Sequence, residues 1–284
     1  MNAPKLSRRQ LLVGGISTLV GAPLIEANWE PLRLEAIHRK VPIRGLGKEF
    51  SGFRIGVMSD IHWGNKISWE FVHRASRLLL EFNPDLIVIP GDFVHGKGAW
   101  TKGKPTFDGA FDLLKAPEGV VGVLGNHDHW AGADHTRRAL AIETNVRLID
   151  NDGFVIQRGS NALAVGGIGD LWEDRQDLEA AFRKIDREVP RILLSHNPDT
   201  AESLSSRSDE RVDLQISGHT HGGQIVVPGV VDFAQRVSKY GSKFNRGLVE
   251  GARHRVFVSK GVGRPNGLRF GALPDVACLE LITS

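Results

Sequence analysis

Four short polar motifs and one isolated histidine occur along this chain, and each directly follows an apolar run. In chain order they are Asp60-Ile-His62, Gly91-Asp92, Gly125-Asn-His-Asp128, His196 and Gly218-His-Thr-His221. The apolar runs before them are predicted strands, at 53–58, 85–89, 120–124, 191–194 and 212–216. Open α/β sheets gather their ligands at the carboxyl ends of strands. The pattern therefore predicts that these polar side chains meet at one edge of an α/β fold.

These polar side chains are carboxylates, imidazoles and one amide, which are the ligand types that hold two adjacent divalent metal ions. Asp60 and His62 are two residues apart, so on a continuing strand both would face one side. A turn at the strand end would instead spread them around a single ion. Asp92 is the natural bridge, because one carboxylate can give an oxygen to each of two metals.

The remaining ligand candidates differ in charge and spacing. Asn126 offers a neutral carbonyl oxygen, whereas His219 and His221 are two apart and can serve different metals. The alternative is that each motif is a separate polar turn satisfied by backbone hydrogen bonds. That alternative is sufficient for Asp60-Ile-His62 or for Gly91-Asp92 when either motif is taken by itself. It does not explain the whole series appearing in order at strand ends.

Length, charge and cysteine content narrow the class of protein. With 284 residues the chain can bury a full core, and we expect residues 30–284 to form one large domain. Of the formal net charge of +3, residues 1–27 contribute +2, so the remainder is almost neutral. We therefore expect no nucleic-acid partner bound through overall charge. Cys278 is the single cysteine, which excludes an internal disulfide and a cysteine-based zinc cluster.

The N-terminal segment, residues 1–27, resembles a bacterial twin-arginine export signal. Ser7-Arg-Arg-Gln-Leu-Leu12 opens an uncharged stretch from 10 to 25, shorter than the roughly 18 residues of a membrane span. The alternative is a frayed amphipathic helix with a chance Arg-Arg pair. We expect export by the twin-arginine machinery to the periplasm or cell envelope. Ile25 stands where cleavage prefers a small residue, so retention as a membrane anchor is also compatible.

The order of predicted elements indicates mixed α/β architecture. A helix is predicted over 68–82, with Ser68 as its N-cap, and strand-helix-strand alternation favours βαβ units at the N-terminal end. Beyond residue 144 the sequence predicts short strands at 146–149, 154–157, 163–166, 255–259 and 276–282, and an amphipathic helix at 177–187. We expect two mixed sheets with helices outside them.

The motif set closely resembles the calcineurin-like metallophosphoesterases. The resemblance runs from about residue 42 to the C-terminus and includes Gly-Asp-Phe-Val94, Ser-His-Asn-Pro198 and Gly-His-Thr-His-Gly-Gly-Gln224. Val258-Ser-Lys-Gly-Val-Gly263 and Leu268-Arg-Phe-Gly271 are similar to the bacterial YkuE/YaeI branch, some of whose members carry a twin-arginine signal.

The resemblance implies a four-layer αββα sandwich and a dinuclear metal site at the carboxyl ends of the strands. One metal would take Asp60, His62, Asp92 and His221, and the other Asp92, Asn126, His196 and His219. Two ions roughly 3.5–4 Å apart can share a water and lower its pKa, so that a bridging hydroxide exists near neutral pH. Manganese, iron and zinc all suit these oxygen and nitrogen ligands.

His127 follows the ligand Asn126 and is the candidate proton donor to the phosphate or the leaving oxygen. Related phosphatases often carry an acidic residue or a tyrosine three positions after the bridging aspartate, where this chain has His95. The absence of a tyrosine at this position argues against the purple acid phosphatase type. The absence of an acidic residue there means that no carboxylate at position 95 can orient His127. Asp128 is another candidate for that role. His95 is either a contact to the substrate phosphate or a solvated loop residue.

Tryptophans and lysines near the motifs are candidates for binding substrate. Trp63, Trp100, Trp130 and Trp172 lie close to metal motifs or strand ends, which indicates a flat, partly apolar wall beside the metals. The loop 95–105 contains Lys97, and its sequence is compatible with either a cationic lid or a solvated surface loop. Between residues 233 and 270, nine basic residues accompany one acid, an arrangement typical of an exposed face.

These observations predict an exported or membrane-attached, metal-dependent phosphohydrolase for phosphomonoesters or phosphodiesters. The substrate could be linked to a lipid or a cell-wall polymer. The alternative substrate is a UDP-2,3-diacylglucosamine-type pyrophosphate of lipid A metabolism, since members of this branch resemble enzymes of lipid A synthesis. A nuclease is a weaker alternative. A non-catalytic metal-binding protein is another, and it is poorly motivated because no expected ligand is missing.

Overall fold

The computed structural model describes residues 30–64, 66–96, 107–204, 208–227, 229, 231–265 and 267–284. The predicted export segment 1–27 and the candidate substrate residues Lys97 and Trp100 lie outside the described residues. Within the described ranges, no helix is long and apolar enough to cross a membrane.

The first sheet has six strands in the order β1-β14-β2-β3-β4-β5. Its strands are β1 (Glu35–Ile43), β2 (Arg54–Val57), β3 (Leu86–Pro90), β4 (Val120–Val123), β5 (Val146–Leu148) and β14 (Asp275–Thr283). All neighbours run parallel except the antiparallel pair β14 and β2. The carboxyl ends of β2, β3 and β4 therefore lie at one edge of the sheet.

The second sheet also has six strands, in the order β12-β13-β9-β8-β7-β6. They are β6 (Asp152–Arg158), β7 (Asn161–Gly167), β8 (Arg191–Leu194), β9 (Leu214–Ser217), β12 (Gly247–Glu250) and β13 (Arg255–Val258). The outer pairs are antiparallel and the inner strands are parallel. A separate two-stranded hairpin joins β10 (Val226–Val227) and β11 (Val231–Asp232).

Four α-helices occur among the described residues: α1 (Trp69–Leu80), α2 (Asn126–Glu143), α3 (Leu178–Ala181) and α4 (Thr200–Leu204). The hydroxyl of Ser68 caps α1 by accepting a hydrogen bond from the backbone N–H of Phe71, as the sequence predicts. Short 3₁₀ turns cover Glu30–Leu32, Lys48–Phe50, His221–Gly223, Phe233–Arg236 and Gly241–Phe244.

The two sheets pack face to face around one buried core. Val88 and Val123 from the first sheet belong to the same cluster as Leu194 and Ile216 from the second. A second core lies between the first sheet and α1 and α2. The short helices α3 and α4 cover the outer face of the second sheet. The result is the predicted four-layer αββα arrangement of two mixed sheets, with a thin outer layer on the second sheet.

One predicted helix is shorter in the structure, and some elements were not predicted. The helix predicted over 177–187 is limited to Leu178–Ala181, because Phe182 leaves the helical conformation and Lys184 has a φ of 63°. Helix α2 was not predicted, because its apolar periodicity is weak and the helix is interrupted at Gly132. Strand β1 was also not predicted, because its mixed polar sequence becomes a strand by pairing with the distant β14.

Candidate metal centre

The predicted site residues lie just beyond the carboxyl ends of β2, β3, β4, β8 and β9, so both sheets contribute to one site. Five of them are non-glycine residues with left-handed backbone angles: Asp60, His62, Asp92, His219 and His221 have φ between 50° and 71°. Non-glycine residues rarely adopt this backbone conformation, which costs on the order of 1–3 kcal/mol per residue. These turns bring neighbouring motif side chains into one cluster. Asp60 and His62 therefore do not lie on one side of a continuing strand, and a turn after β2 directs them into the site.

The first donor group consists of Asp60, His62, Asp92 and His221. All four are buried and place one ligand atom each within 4.8 Å of the others. The Nε2 atoms of His62 and His221 are 3.0 Å apart. Nε2 of His221 also lies 3.5 Å from Oδ1 of Asp60. Nitrogen and oxygen atoms at this spacing can surround one cation.

The second donor group consists of Asn126, His196 and His219, together with Asp92. Oδ1 of Asn126 is 3.1 Å from Nε2 of His196 and 3.0 Å from Nδ1 of His219. The two ring nitrogens are 3.2 Å apart. The structure thus brings together all seven predicted ligands, in the two sets implied by the family resemblance.

Asp92 lies between the two groups. Its Oδ2 is 3.5 Å from Nε2 of His62 in the first group and 3.4 Å from Nε2 of His196 in the second. Its other oxygen, Oδ1, accepts a hydrogen bond from the backbone N–H of His127 at 2.9 Å. One carboxylate oxygen therefore faces both groups while the other is held by the backbone.

Backbone carbonyls determine which nitrogen of two histidines faces the second group. Nδ1 of His196 donates to the carbonyl of Pro90 at 2.8 Å, and Nε2 of His219 donates to the carbonyl of Val237 at 3.3 Å. In the neutral rings, the nitrogens that face Asn126 are therefore acceptors. Three acceptor atoms converge there, which is the arrangement expected around a cation.

Burial and mutual charge explain the pKa values of the site. Burial raises the pKa of Asp60 to about 6 and lowers the pKa of His219 to about 3. Burial also lowers the pKa values of His62 and His221. These three histidines are therefore held neutral, which is the form that binds metal.

The pair Asp92 and His196 behaves differently. Burial alone would raise the pKa of Asp92 and lower that of His196, but each charge stabilises the other. The pKa of Asp92 is held well below its ordinary value and that of His196 well above it. Without a bound cation, a proton on His196 supplies the positive charge beside Asp92.

His127 begins the first turn of α2 beside the metal ligands. Its Nδ1 donates to the backbone carbonyl of His95 at 2.9 Å. The rings of these two histidines stack with centroids 5.3 Å apart, and the ring of His127 meets that of His62 edge-on at 4.6 Å. Because a carbonyl only accepts, the proton of neutral His127 is on Nδ1, and Nε2 is the nitrogen that can exchange a proton with substrate.

His95 belongs to the site and is half-buried rather than fully solvated. Its Nδ1 is 3.4 Å from Nδ1 of His62, on the side of the His62 ring away from the first donor group. The ring of His95 thus contacts both His62 and His127, and its carbonyl accepts the hydrogen bond from His127. Neighbours of this kind orient metal-binding histidines.

Asp128 faces away from the ring of His127. Its two oxygens accept hydrogen bonds from the backbone N–H groups of Val94 and Gly125, at 3.0 and 2.9 Å. Burial and the nearby charge of Asp92 raise the pKa of Asp128 to about 8. Asp128 therefore connects the loops after β3 and β4, and the backbone of His95 supplies the partner of His127.

Arg269 is a site neighbour that the sequence analysis did not identify as functional. It is fully buried, and its guanidinium donates to the carbonyls of Gly263, Ala272, Lys260 and Gly261. Its Nη2 lies 3.3 Å from Nδ1 of His221. Burial lowers the pKa of Arg269 to about 10, so it stays charged near neutral pH. Its position in the motif Leu268-Arg-Phe-Gly271, which resembles the bacterial branch, could have marked Arg269 as a functional candidate.

Two glycines are required by space rather than by a sharp turn. A Cβ at Gly125 would collide with the carboxylate of Asp92, and a Cβ at Gly218 would collide with that of Asp60. Neither glycine has a positive φ, unlike Gly91. Among these three glycines, only Gly91 is required by the backbone angle of a sharp turn.

The tryptophans and basic residues are distributed unevenly around the site. Trp130 and Trp172 are 39% and 43% exposed, whereas Trp63 is half-buried. Of the basic run 233–270, Lys260 and Arg269 are buried, so the run does not form one exposed face. Arg236 lines a cavity of about 230 Å³ beside His219 and His221.

Comparison with known families agrees with this geometry. A model of the family described as calcineurin-like phosphoesterase matches residues 53–223. The chain therefore belongs to the calcineurin-like phosphoesterases and is a metallophosphoesterase, a metal-dependent enzyme that hydrolyses phosphoester bonds. The matched range contains all seven predicted ligands.

Similarity to individual proteins extends beyond residues 53–223. The chain is 27% identical over 286 positions to an uncharacterized metallophosphoesterase, YkuE, of Bacillus subtilis, covering 98% of each chain. It is 30% identical over 233 residues to the phosphodiesterase YaeI of Escherichia coli, covering 81% of this chain and 82% of the other. It is 26% identical to the UDP-2,3-diacylglucosamine pyrophosphatase LpxG of Chlamydia muridarum, covering 94% and 96%.

Proposed function

We propose that the protein hydrolyses phosphomonoesters or phosphodiesters with a pair of divalent ions. The observation that carries this proposal is the position of Oδ2 of Asp92, 3.5 Å from His62 and 3.4 Å from His196. One ion would be held by Asp60, His62, Asp92 and His221, and the other by Asp92, Asn126, His196 and His219. Manganese, iron and zinc all suit these donors.

A pair of ions at this site would lower the pKa of a water molecule and neutralise negative charge on the phosphate. The chain's own residues prepare the donors for that role. Carbonyls of Pro90 and Val237 orient His196 and His219, and burial keeps His219 neutral. His196 would have to lose the proton that Asp92 stabilises, so metal binding should release a proton.

His127 is the proposed proton donor to the leaving oxygen. The carbonyl of His95 holds its Nδ1, and the backbone N–H of His127 holds Oδ1 of Asp92. The same residue thus orients the shared carboxylate and places Nε2 at the site. Donation from Nε2 requires the ring to carry a proton on both nitrogens, and it would then help leaving groups that cannot depart as stable anions while Nδ1 keeps its bond to the carbonyl of His95.

A UDP-2,3-diacylglucosamine-type pyrophosphate is the second candidate substrate. It is favoured by the similarity to the Chlamydia muridarum enzyme over 94% of this chain. Arg236 beside the metal ligands would suit the additional phosphate of such a substrate. Hydrolysis of this compound by the purified protein, with release of UMP, tests this candidate directly.

We also propose that residues 1–27 carry the protein to the cell envelope by the twin-arginine route. Arg8 and Arg9 followed by the uncharged stretch 10–25 support this. Proteins exported this way fold first, so the metal donors would assemble in the cytoplasm.

Metal analysis combined with a panel of phosphate esters tests the main proposal. We expect about two ions per chain in the active protein, and loss of hydrolysis on chelation that is restored by adding metal back. Hydrolysis of 4-nitrophenyl phosphate and bis(4-nitrophenyl) phosphate would distinguish monoesterase from diesterase activity. Full activity with one ion per chain would contradict the dinuclear assignment.

A further inference from the structure

We propose that Trp130 and Trp172 form a binding surface for a flat, uncharged ring of the substrate, either a nucleobase or an aryl group. The proposal rests on the phosphohydrolase function proposed above and names the class of substrate. The substrate would carry its phosphorus at the metal centre and a planar group against these indoles.

The first observation is where the two indoles lie. Trp172 packs edge-on against His219, with ring centroids 4.5 Å apart, and Trp130 packs against His127 at 4.7 Å. One indole therefore touches a predicted metal ligand and the other touches the proposed proton donor. Both remain about 40% exposed, and ligand sites are lined mainly by hydrophobic and aromatic side chains of this kind.

The second observation is that hydrogen bonds hold the indole of Trp130 and the backbone of Trp172 in place. Nε1 of Trp130 donates to Oε1 of Glu173 at 2.8 Å. The backbone N–H groups of Trp172 and Glu173 both donate to Oδ1 of the buried Asp170, at 2.9 and 3.1 Å. These bonds reduce the ordering that binding would otherwise require, and such preorganisation increases affinity.

The charges around the site indicate what kind of group the indoles accept. Glu173 places a negative charge on the tryptophan surface itself, which disfavours a second phosphate there. Arg236 lies instead beside the cavity at His219 and His221. A phosphate would therefore be favoured on the Arg236 side and a neutral ring on the tryptophan side. Stacking on indole suits any ring with a π-face.

Substrates that differ in one group test the proposal. The probes are three monoesters, of which only the last has no ring: thymidine 5′-monophosphate, phenyl phosphate and methyl phosphate, with phosphate release by the metal-loaded protein as the measurement. We expect Trp172→Leu to reduce the preference for the nucleotide ester over the methyl ester about tenfold in kcat/KM, mainly through KM. Trp172→Phe, which keeps a flat ring, should retain most of that preference.

The matched control is Trp69→Leu. Trp69 is also 42% exposed, but it packs on His73 of α1. A reduced preference confined to the nucleotide ester would identify a nucleobase, and an equal reduction for the phenyl ester would identify any flat ring. The proposal is overturned if Trp172→Leu affects all three esters equally, affects none, or matches Trp69→Leu.

A binding measurement separates this proposal from the proposed function. Calorimetry with thymidine 5′-monophosphate and methyl phosphate requires no turnover. Tighter binding of the nucleotide that Trp172→Leu abolishes would support the tryptophan surface even if none of the esters were hydrolysed. Equal binding of the two compounds by the unmodified protein would overturn it.

Discussion

The backbone carbonyl of His95 accepts a hydrogen bond from Nδ1 of His127 at 2.9 Å. This contact supplies the partner that an acidic side chain at position 95 provides in related phosphatases. Since the accepting group is backbone, the identity of residue 95 does not determine the tautomer of His127. The ring of His95 is therefore available for its separate contact with His62.

Replacing His127 by alanine should preserve metal binding and reduce turnover. The ring donates only to a carbonyl and stacks on neighbours, so its loss leaves all seven proposed ligands in place. General-acid donation contributes about 10²–10⁴-fold. The reduction should be larger for an alkyl leaving group than for 4-nitrophenolate, which departs without a proton. Equal reductions across a series of leaving groups would argue against donation.

Replacing His95 by alanine should weaken metal binding more than it changes the rate of the loaded enzyme. Alanine keeps the carbonyl that holds His127 but removes the ring beside Nδ1 of His62. Loss of a residue that orients a ligand typically costs 10–100-fold in metal affinity. Metal titration by calorimetry measures this, with His135→Ala, an exposed histidine on α2, as the control. Unchanged metal affinity with a large loss of kcat would instead indicate a direct role on substrate.

Replacing Asp92 by asparagine should disrupt both donor groups together. The substitution removes the carboxylate charge that faces both His62 and His196. Metal content and turnover should therefore fall in parallel, and elemental analysis of the purified variant would show it. Asp209→Asn is the control, because that side chain is 89% exposed. A variant that kept two ions and near-normal turnover would refute the bridging role.

Cys278 should react with thiol reagents only after unfolding. The side chain is 1% exposed within β14, and burial raises its pKa to about 11. Little reactive thiolate is therefore present in the folded protein near pH 8. Reaction with a chromogenic disulfide, followed with and without denaturant, measures the difference. Rapid stoichiometric reaction of the folded protein would contradict the described burial.

Replacing Arg8 and Arg9 together by lysine should leave folded, active enzyme in the cytoplasm. The change keeps the positive charge but alters the paired arginines that the export route requires. Cell fractionation with an activity assay measures the outcome. Unchanged export of the Lys-Lys variant would refute the twin-arginine proposal and leave the phosphoesterase assignment intact.

The sequence alone identified the strand ends and the chemistry of the ligands. Strands such as β3 and β8 are short apolar runs, and their positions depend mainly on local pattern. The polar residues that follow them interrupt the apolar pattern, so they stand out in the sequence as candidate ligands. The prediction of a helix over 177–187 was wrong beyond Ala181, because apolar periodicity does not show where the backbone angles leave the helical region.

Only the tertiary structure determined which residues distant in sequence contact each other and which groups orient the candidate ligands. His62 and His221 are separated by 159 positions, yet their ring nitrogens lie 3.0 Å apart. The carbonyl that orients His127, the buried charge of Arg269 beside His221 and the pairing of β1 with β14 all depend on contacts across the fold. Residue types and spacing indicate which atoms can bind a metal. Which nitrogen faces inward, and which backbone group holds it, depends on the packing of the two sheets.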